Sequence, residues 1–425
     1  MVNIFKAARS RAEGAINSFE YAWPALYKTT KIAAQTLLTL QASAILGVVG
    51  IDEFRKLRTA PVTSNYPEIR PHPFKAAGSE FTLYMSGKQV YPDMIAAIEN
   101  ARETVYFETF IWKGDEVGRR FKNALIRAAQ RGVEVYIIWD RFGNMVVNPR
   151  FFKFPKLRNL HVLKYSLWHT GRDHRKILAV DDDLAFVGGF NIGDTYRSRT
   201  WRDTHVRLRG TKAWELHNAF VDFWNNAKHR RQPNLPDPGA ANWDARIAAR
   251  LNDPKRLLFP VRGMYLDALN RASESVYITS AYFIPDRNIE AALIAAARRG
   301  ADVKVLVPEK SNHIVADWIS RAYLTELLEA GIELWLYQDV MIHSKTAVID
   351  GKWATIGTAN IDRLSMTGNF EINLEITDED MAQRMQQMFL TDLTNSRQMT
   401  LTQWRKRPLL SQATEMLLKP FGLLI

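Results

Sequence analysis

Histidine, lysine, aspartate and asparagine recur in one fixed order at two places in the chain. The two sets are His174, Lys176, Asp181 and Asn191, and then His343, Lys345, Asp350 and Asn360. Each member of the second set lies 169 positions after its counterpart, as 343 minus 174 gives for the histidines. A constant spacing across four residue types indicates an internal duplication.

The side chains of one set are suited to reaction at a phosphate. In a strand, alternate residues point to the same face, so the histidine and lysine of an H-x-K triplet would lie side by side. A lysine ammonium binds anionic oxygens, and a neutral imidazole attacks phosphorus or transfers a proton near neutral pH. The asparagine amide can donate to a phosphoryl oxygen. We therefore predict that the histidine, lysine and aspartate of both sets are catalytic and that the asparagines bind the phosphate.

Glycines and a second carboxylate accompany each set. Gly188 and Gly189 follow the first apolar run, and Gly357 follows the second. A carboxylate comes later in each copy, Asp203 at 29 positions after the first histidine and Glu371 at 28 after the second. Because these spacings are so similar, we expect each carboxylate to hold the second ring nitrogen of the histidine in its own copy.

A single H-x-K triplet would be a weak indication, since a strand can carry two half-exposed polar residues without any chemical purpose. Two copies in one register leave that interpretation little room. The other histidines lack a lysine two positions later: His72, His161, His169, His205, His217, His229 and His313. We expect ordinary surface or core residues here, with His205 a weaker candidate for a contact with Asp203. No group has the spacing of a metal site, so neither a metal nor a cofactor is predicted.

Composition narrows the class of partner. The chain has 425 residues, enough for two or three domains, and its lack of cysteine excludes disulfides and thiolate metal sites. The lack of cysteine also fits a reducing cytosol. The formal net charge of +12 predicts an anionic partner, either nucleic acid or an anionic lipid surface.

The two ends of the chain favour lipid over nucleic acid. Residues 32–51 carry no charge and match the length of about 20 residues that crosses a bilayer, although polar residues interrupt them. We expect an interfacial or reentrant membrane helix there, with a true span or a packed soluble helix as alternatives. Residues 404–425 place a basic cluster beside an apolar helical face, which favours a membrane-surface helix over a docked terminal helix.

Strand and helix signals alternate in the same order in both copies, which predicts an α/β fold with mixed or parallel sheets. Gly132 and Gly300 are expected to end matching helices. Proline-rich segments at 61–74 and 231–239 indicate linkers. The expected division is an N-terminal membrane-associated segment at 1–75, a first repeat at 76–230, a linker at 231–245, a second repeat at 246–400 and an amphipathic tail at 401–425.

The repeated pattern resembles that of a known family. H-x-K-x4-D-x6-G-x2-N, present twice, is similar to the paired motif of the phospholipase D superfamily, and the resemblance covers about residues 78–395. The stretches Y-F-x-P-D at 282–286, E-x-x-I-[FW] at 108–112 and G-G-x-N-[IL]-x-D at 188–194 resemble bacterial cardiolipin synthases in particular. Leu364 departs from the pattern, because many members have arginine there.

The resemblance implies two tandem α/β sandwiches packed about a pseudo-two-fold, each presenting its H-x-K at the shared interface. It also implies phosphodiester exchange through a phosphohistidine, with His174 as nucleophile and His343 as general acid and then base. The function implied is a phosphatidyltransferase of the cardiolipin synthase type. It would join two phosphatidylglycerols, or phosphatidylglycerol and another phospholipid, and release the head-group alcohol.

Three alternatives stay open from the sequence. They are a phospholipase D that hydrolyses or exchanges head groups, a nucleic-acid phosphodiesterase, and a non-enzymatic membrane scaffold. Anionic phospholipids and the membrane surface are the expected partners, and no nucleic-acid partner is expected. The expected location is the bacterial inner membrane, bound peripherally or by a reentrant segment, with the catalytic body in the cytoplasm.

Overall fold

The computed structural model describes residues 27–32, 34–54, 66–166, 171–240 and 242–423. Several segments with sequence predictions lie outside these ranges: residues 1–26, residues 61–65 at the beginning of the first predicted linker, His169 and the last two residues. Within the described ranges, each copy of the repeat forms one eight-stranded sheet flanked by helices.

The first sheet contains the first H-x-K stretch. Its strands are β1 (Phe74–Ala76), β2 (Ser79–Tyr84), β3 (Thr104–Thr109), β4 (Glu134–Asp140), β5 (Leu160–Tyr165), β6 (Ile177–Val180), β7 (Leu184–Gly188) and β9 (His205–Arg209). Their spatial order is β1-β2-β9-β7-β6-β3-β4-β5, with β3, β4 and β5 parallel and the other neighbours antiparallel. The helices of this repeat are α2 (Gly87–Asn100), α3 (Glu116–Gln130) and α4 (Trp214–Ala227).

The second sheet repeats this arrangement. Its strands are β10 (Ile247–Asn252), β11 (Ser275–Ser280), β12 (Asp302–Pro308), β13 (Glu333–Tyr337), β15 (Lys345–Ile349), β16 (Trp353–Gly357), β17 (Glu371–Thr377) and β18 (Ser396–Met399). Their order is β10-β17-β16-β15-β11-β12-β13-β18. The helices are α5 (Pro260–Arg271), α6 (Arg287–Arg298), α7 (Ile314–Arg321), α8 (Leu324–Glu329), α9 (Arg363–Thr367) and α10 (Glu379–Leu393). Because β17-β16-β15-β11-β12-β13 matches β9-β7-β6-β3-β4-β5, the predicted fold of two tandem α/β repeats is confirmed.

The two copies fold alike because the same local signals recur. Asp115 and Asp286 cap α3 and α6, and each accepts hydrogen bonds from backbone N–H groups of the first helical turn. Glycine ends both helices as predicted, with a φ of +98° at Gly132 and +96° at Gly300. Only glycine adopts such angles without strain, so these residues define where the chain turns into the next strand.

The two repeats share one apolar core. Val187 on β7 and Val206 on β9 belong to the same buried cluster as Ile356 on β16 and Leu374 on β17. A short parallel pair, β8 (Trp201–Arg202) and β14 (Met341–Ile342), also joins the repeats. Each H-x-K stretch therefore lies where its own sheet meets the other repeat.

One helix in the described part of the chain is long and apolar enough to cross a membrane. It is α1 (Tyr27–Phe54), with 28 residues. Val48 of α1 packs in a small cluster with Ile284 of the second repeat. Much of α1 stays exposed, since only 12% of its most apolar window is buried.

The C-terminal tail is docked on one side and apolar on the other. It contains α11 (Leu401–Arg405) and α12 (Leu409–Leu418), followed by a 3-10 helix at Lys419–Leu423. Leu418 is fully buried in the cluster that includes α1, whereas Leu409 and Leu410 are about four-fifths exposed. One side of the tail is therefore docked on the body, as in the first alternative. The other side exposes apolar side chains, as a membrane-surface helix would.

Candidate active site

Each H-x-K triplet is held in place by a backbone segment of the other repeat. The N–H of His174 donates to the carbonyl of Phe370 at 3.0 Å, and that of His343 donates to the carbonyl of Arg202 at 2.6 Å. Phe370 immediately precedes Glu371, and Arg202 immediately precedes Asp203. The pairing therefore brings each histidine next to the carboxylate of the opposite copy.

The histidine–carboxylate pairs are crossed between the copies. Nδ1 of His174 lies 2.9 Å from Oε2 of Glu371, and Nδ1 of His343 lies 2.7 Å from Oδ2 of Asp203. The prediction that each carboxylate serves the histidine of its own copy is therefore wrong. The physical reason is the backbone pairing between repeats, which overrides proximity along the chain. With Nδ1–H donated to a carboxylate, Nε2 of each ring is left for chemistry.

The glycines make room for these carboxylates and the strand beside them. A Cβ on Gly189 would lie 2.0 Å from Oδ1 of Asp203, and one on Gly357 would lie 2.2 Å from the carbonyl oxygen of Ile372. Gly188 has a φ of +156°, and a Cβ there would lie 2.4 Å from the carbonyl oxygen of Thr204. No residue larger than glycine fits at these three positions without displacing the carboxylate segments.

The two copies differ in how they support the carboxylate. Thr358, which occupies the position of Gly189 in the second copy, donates its hydroxyl to Oε2 of Glu371 at 2.5 Å. Asp203 instead accepts from the N–H of Thr204 at 2.7 Å. The His174–Glu371 pair therefore has an additional side-chain donor that the His343–Asp203 pair lacks.

The two lysines are buried and bind backbone carbonyls. Nζ of Lys176 donates to the carbonyl of His174 at 2.6 Å, and Nζ of Lys345 donates to the carbonyl of His343. Burial lowers the pKa of Lys176 to about 7 and that of Lys345 to about 8, although Glu371 and Asp203 oppose the shift. Among the described residues, no carboxylate forms a direct bond with either lysine, which suits an anionic ligand.

The surroundings of both imidazoles favour the neutral ring. Burial lowers the pKa of His174, and burial together with the neighbouring Lys345 lowers that of His343 to about 3. Burial alone would raise the pKa of Asp203, but His343 and Lys345 outweigh it, so the pKa lies below its ordinary value. An ionised carboxylate beside a neutral ring favours the tautomer in which Nε2 is unprotonated.

The two predicted phosphate-binding asparagines are buried beside the triplets. Oδ1 of Asn191 accepts from the N–H of Ile111 at 3.1 Å, which turns its amide N–H groups in the opposite direction. Oδ1 of Asn360 has no hydrogen-bond partner within the described ranges, although its side chain is almost fully buried. The Asn191 side chain is therefore held by a hydrogen bond, and that of Asn360 has unused hydrogen-bonding capacity.

Asp181 and Asp350 do not lie with the other predicted catalytic residues. They follow the last residues of β6 and β15, whereas the lysines stand at the first end of those strands, about 16 Å away at 3.3 Å per residue. Asp181 accepts from the N–H groups of residues 102–104, and Asp350 from those of residues 273–275. Both residues have positive φ, +49° and +52°. The structure thus corrects the predicted catalytic role: both aspartates close turns.

Several buried polar residues near the site had no clear signal in the sequence. Arg202 forms an ion pair with Asp392 at 2.7 Å, and it joins the two repeats below His343. Arg175, inside the first triplet, pairs with Glu108 at 2.5 Å. His205, by contrast, was expected as a weaker candidate for a contact with Asp203, but neither of its buried ring nitrogens has a hydrogen-bond partner in the described structure. Paired arginines at such sequence separations become recognisable only once the strands are placed.

Comparisons with known proteins agree with this geometry. A family model described as cardiolipin synthase, PLD-like domain, matches residues 94–224 and 265–393. The major cardiolipin synthase of Bacillus subtilis (strain 168) is 33% identical over 356 residues, which span 79% of this chain and 73% of that protein. The cardiolipin synthase of Listeria monocytogenes serotype 4a (strain HCC23) is 32% identical over 370 residues, which span 80% of this chain and 75% of that protein.

A solved structure shows the same fold at much lower identity. The phosphatidylserine synthase of Haemophilus influenzae Rd KW20 superposes with a TM-score of 0.63 at 15% identity, covering 82% of this chain and 94% of that one. At this identity the likeness is one of fold alone. The family model and the two curated relatives together show that the chain belongs to the phospholipase D-like cardiolipin synthase family.

Proposed function

We propose that this chain is a phosphatidyltransferase of the cardiolipin synthase type. It joins two phosphatidylglycerols, or phosphatidylglycerol and another phospholipid, and releases the head-group alcohol. The observation that carries the proposal is the crossed pair of histidine–carboxylate contacts, because they bring two oriented imidazoles and two lysines together. The two relatives named above are cardiolipin synthases, which supports phospholipids as the substrate class.

The first displacement transfers the phosphatidyl group to the protein. Nε2 of His174 attacks the phosphorus of the donor lipid, and the P–O bond to the head-group alcohol breaks. His343, protonated on Nε2 once the donor anion is bound, gives that proton to the leaving oxygen. The products are a phosphatidyl-histidine at position 174, a neutral His343 and the free alcohol.

The second displacement transfers the phosphatidyl group to the acceptor. A hydroxyl of the second phospholipid attacks phosphorus while Nε2 of His343 takes its proton. The P–N bond to His174 breaks, and the new phosphodiester leaves. His343 then carries the proton needed for the next first step, so one cycle consumes and produces no net proton.

The assignment of His174 as nucleophile rests on the family resemblance. The exposed fraction of its side chain, 13% against 7% for His343, agrees with this choice. The low pKa of His343 opposes its role as an acid in the free protein. A bound phosphodiester anion would raise that pKa, because a nearby negative charge favours the imidazolium.

The lysines and asparagines are proposed to hold the phosphoryl oxygens. Lys176 and Lys345 each have further N–H donors beyond the one used for a backbone carbonyl. The amide groups of Asn191 and Asn360 complete the ring of donors. Donors fixed before the reaction stabilise charge that develops on the equatorial oxygens.

We also propose that the segments at 1–75 and 401–425 attach the two repeats to the inner membrane of a bacterium. The attachment is peripheral or reentrant, with the catalytic body in the cytoplasm. The supporting observations are the exposure of α1 and of Leu409, Leu410 and Met416 on α12. The domain division expected from the sequence, with repeats at 76–230 and 246–400, is kept as part of this proposal.

Purified protein in detergent micelles with labelled phosphatidylglycerol tests the function. We expect labelled cardiolipin and an equal amount of glycerol. Phosphatidic acid without cardiolipin would instead identify a phospholipase D, and cleavage of single-stranded DNA without either lipid product would identify a nucleic-acid phosphodiesterase. The His174→Ala and His343→Ala variants serve as controls for contaminating lipases.

A further inference from the structure

A large cavity lies next to the second H-x-K stretch and outside the residues used above. Its volume is about 1160 Å³, and its wall is built from α5, α6, α8, α9 and the C-terminal 3-10 helix. The inner end is formed by Asp362, two residues after Asn360, whose charged neighbours include Glu371 and Lys345. The cavity thus comes close to the catalytic residues of the second copy through Asp362, although those residues do not themselves line it.

The lining combines cationic, acidic and apolar side chains. Two of its carboxylates belong to Glu290, which interacts electrostatically with Lys419 and Arg287, and to Glu326. Arg262 is already paired with Asp286 at 2.6 Å, whereas Arg287, Arg363 and Lys419 have no carboxylate at ion-pair distance in the described structure. Apolar side chains make up the remaining wall: Leu257, Phe259, Ile284, Pro285, Ile294 and Met366. Such a lining fits a molecule with an anionic group and hydrocarbon chains.

The cavity also adjoins the apolar surface formed by the ends of the chain. Ile284 in its wall packs in one cluster with Val48 of α1 and Leu418 of α12. Lys419 and Gly422, directly after α12, line the cavity as well. A lipid held at the exposed faces of α1 and α12 would therefore have a short path into it.

The first copy is closed at the corresponding place. Gly193 stands where the second copy has Asp362, since 362 minus 193 is again 169. A Cβ at Gly193 would lie 2.8 Å from Cγ of Lys113, and Asp115 accepts from the N–H of Asp194 at 2.8 Å. In the first copy this place is thus filled by Lys113 and by Asp115, whose Oδ2 would lie 3.1 Å from that Cβ, so only the second copy has a carboxylate on the residue two positions after its asparagine.

We infer that this cavity binds the acceptor phospholipid, a lipid whose head group is a phosphate ester of a polyol such as glycerol. Arg287 and Lys419 bind its phosphate, Asp362 accepts a hydrogen bond from one hydroxyl, and the apolar wall holds the first part of its acyl chains. The inference rests on the proposed function and deepens it. A hydroxyl is required because the second displacement needs an oxygen nucleophile, which excludes lipids whose head group has only an amine.

The kinetic test separates the acceptor from the donor. A phosphatidyl p-nitrophenyl ester is the donor, since its leaving group needs no protonation, and phosphatidylglycerol in mixed micelles is the acceptor. For the Arg287→Ala/Lys419→Ala variant we expect a burst of p-nitrophenol at the wild-type rate. The KM for phosphatidylglycerol should rise about tenfold or more, because charge-assisted bonds to the phosphate are lost. Asp362→Asn, which can still cap α9, should raise KM and increase hydrolysis to phosphatidic acid relative to transfer.

The matched control is Arg298→Ala, which removes an exposed cation at the end of α6 that does not line the cavity. Its kinetics should equal those of the wild type. An unchanged KM in the Arg287→Ala/Lys419→Ala variant would overturn the inference. An equal loss of burst and transfer would also overturn it, since the cavity would then serve the donor.

A second experiment measures binding of phosphatidylglycerol in the cavity without requiring a reaction. Phosphatidylglycerol with a photoreactive group on one acyl chain should label peptides containing Ile294 or Met366, and excess unlabelled phosphatidylglycerol should prevent this while phosphatidylcholine should not. Labelling confined to other parts of the body would reject the site even if cardiolipin is made. If unlabelled phosphatidylglycerol prevents the labelling but the protein makes no cardiolipin, the lipid site would be supported and the proposed function rejected.

Discussion

At the scale of single residues, the two histidines should differ in what their removal leaves behind. In the His343→Ala variant, His174 can still attack an activated phosphodiester, so a phosphatidyl adduct on residue 174 should accumulate. In the His174→Ala variant no adduct should form. Intact-protein mass spectrometry with peptide mapping makes the measurement. An adduct on His343 in the His174→Ala variant would reverse the assignment.

The crossed carboxylates lead to a second prediction. Glu371→Gln should slow the burst from an activated donor by about 100-fold, because acid–base and nucleophilic groups that lose their orientation cost rates of about that size. Asp203→Asn should leave that burst close to the wild-type rate and slow transfer to an alcohol. Both substitutions keep side-chain shape, so stopped-flow release of p-nitrophenol compares them directly. The opposite pattern would mean either that Asp203 orients His174 or that His343 is the nucleophile, and the adduct mapping above separates these two cases.

The lysines predict how activity depends on pH. Their pKa values of about 7 and 8 mean that positive charge at the site is lost as pH rises through this range. We therefore expect kcat/KM, which reports the free enzyme, to fall on the alkaline side. Arginine keeps its charge, so Lys345→Arg should move the fall to higher pH if the larger side chain is accommodated. A pH-independent kcat/KM between pH 7 and 9 would contradict the prediction.

Unfolding cannot explain such an alkaline loss. In the unfolded chain a lysine has a pKa of about 10.4, so between the lowered folded pKa and this value the unfolded state binds more protons. The free energy of unfolding from these two groups therefore rises with pH in this window. Thermal melts at pH 7, 8 and 9 provide the control, and stability should not fall along with activity for this reason.

At this scale most residues of the candidate site could be named from the sequence, but their hydrogen-bond partners could not. The H-x-K triplets, the asparagines and the two carboxylates were recognisable from residue type and constant spacing. The contact between His174 and Glu371 spans 197 positions, and that between His343 and Asp203 spans 140. Because the spacings within the two copies are almost the same, 29 and 28 positions, only the docking of one repeat on the other decides which carboxylate meets which ring.

At the scale of elements, the turns after β6 and β15 give a prediction about stability. Asp350→Ala removes an acceptor for three backbone N–H groups and places alanine at a φ of +52°. We expect the free energy of unfolding to fall by about 1–3 kcal/mol, because hydrogen bonds to a charged carboxylate are lost and alanine is strained at a positive φ. Turnover per folded molecule should stay close to that of the wild type. Chemical denaturation and activity assays on the same preparation make the comparison.

The control for this prediction is Asp182→Ala, at an exposed neighbour of the equivalent turn in the first copy. It should change neither stability nor activity. A loss of turnover in Asp350→Ala without a loss of stability would restore the catalytic role predicted from the sequence.

Local signals explain why the elements themselves were predictable. Capping aspartates, terminal glycines and apolar runs act within a few residues, so α3, α6, β6 and β15 could be expected from the sequence. The aspartate of each motif was expected beside the lysine, but it lies at the opposite end of the strand that follows the lysine. A sequence motif gives the order of residues along the chain and does not show at which end of a strand each one lies. Its hydrogen bonds go to residues 75 to 79 positions away, which no local rule connects.

At the scale of the whole molecule, the exposed faces of α1 and α12 predict membrane attachment. Removing residues 1–54 and changing Leu409, Leu410 and Met416 to glutamine should move the protein from the membrane fraction to the soluble fraction. Substitution is preferable to deletion of the tail, since Trp404 and Leu418 are buried in the body. Either change alone should leave part of the protein bound. Fractionation followed by immunoblotting measures the distribution.

Two controls accompany that experiment. Leu390→Gln, on an exposed part of α10, should not alter the distribution. A high-salt wash should release part of the α1-deleted protein, because the remaining attraction to anionic lipid is screened. If the combined variant stays fully bound, the attachment lies elsewhere in the chain.

The crossed contacts have a consequence for how this chain can evolve. Since each half supplies the carboxylate that orients the imidazole of the other half, neither half carries a complete ring-and-carboxylate unit of its own. A substitution at Glu371, in the second half, therefore removes the group that orients His174, in the first half. Among homologues, we expect correlated replacement between positions 174 and 371 and between 343 and 203, and none between 174 and 203.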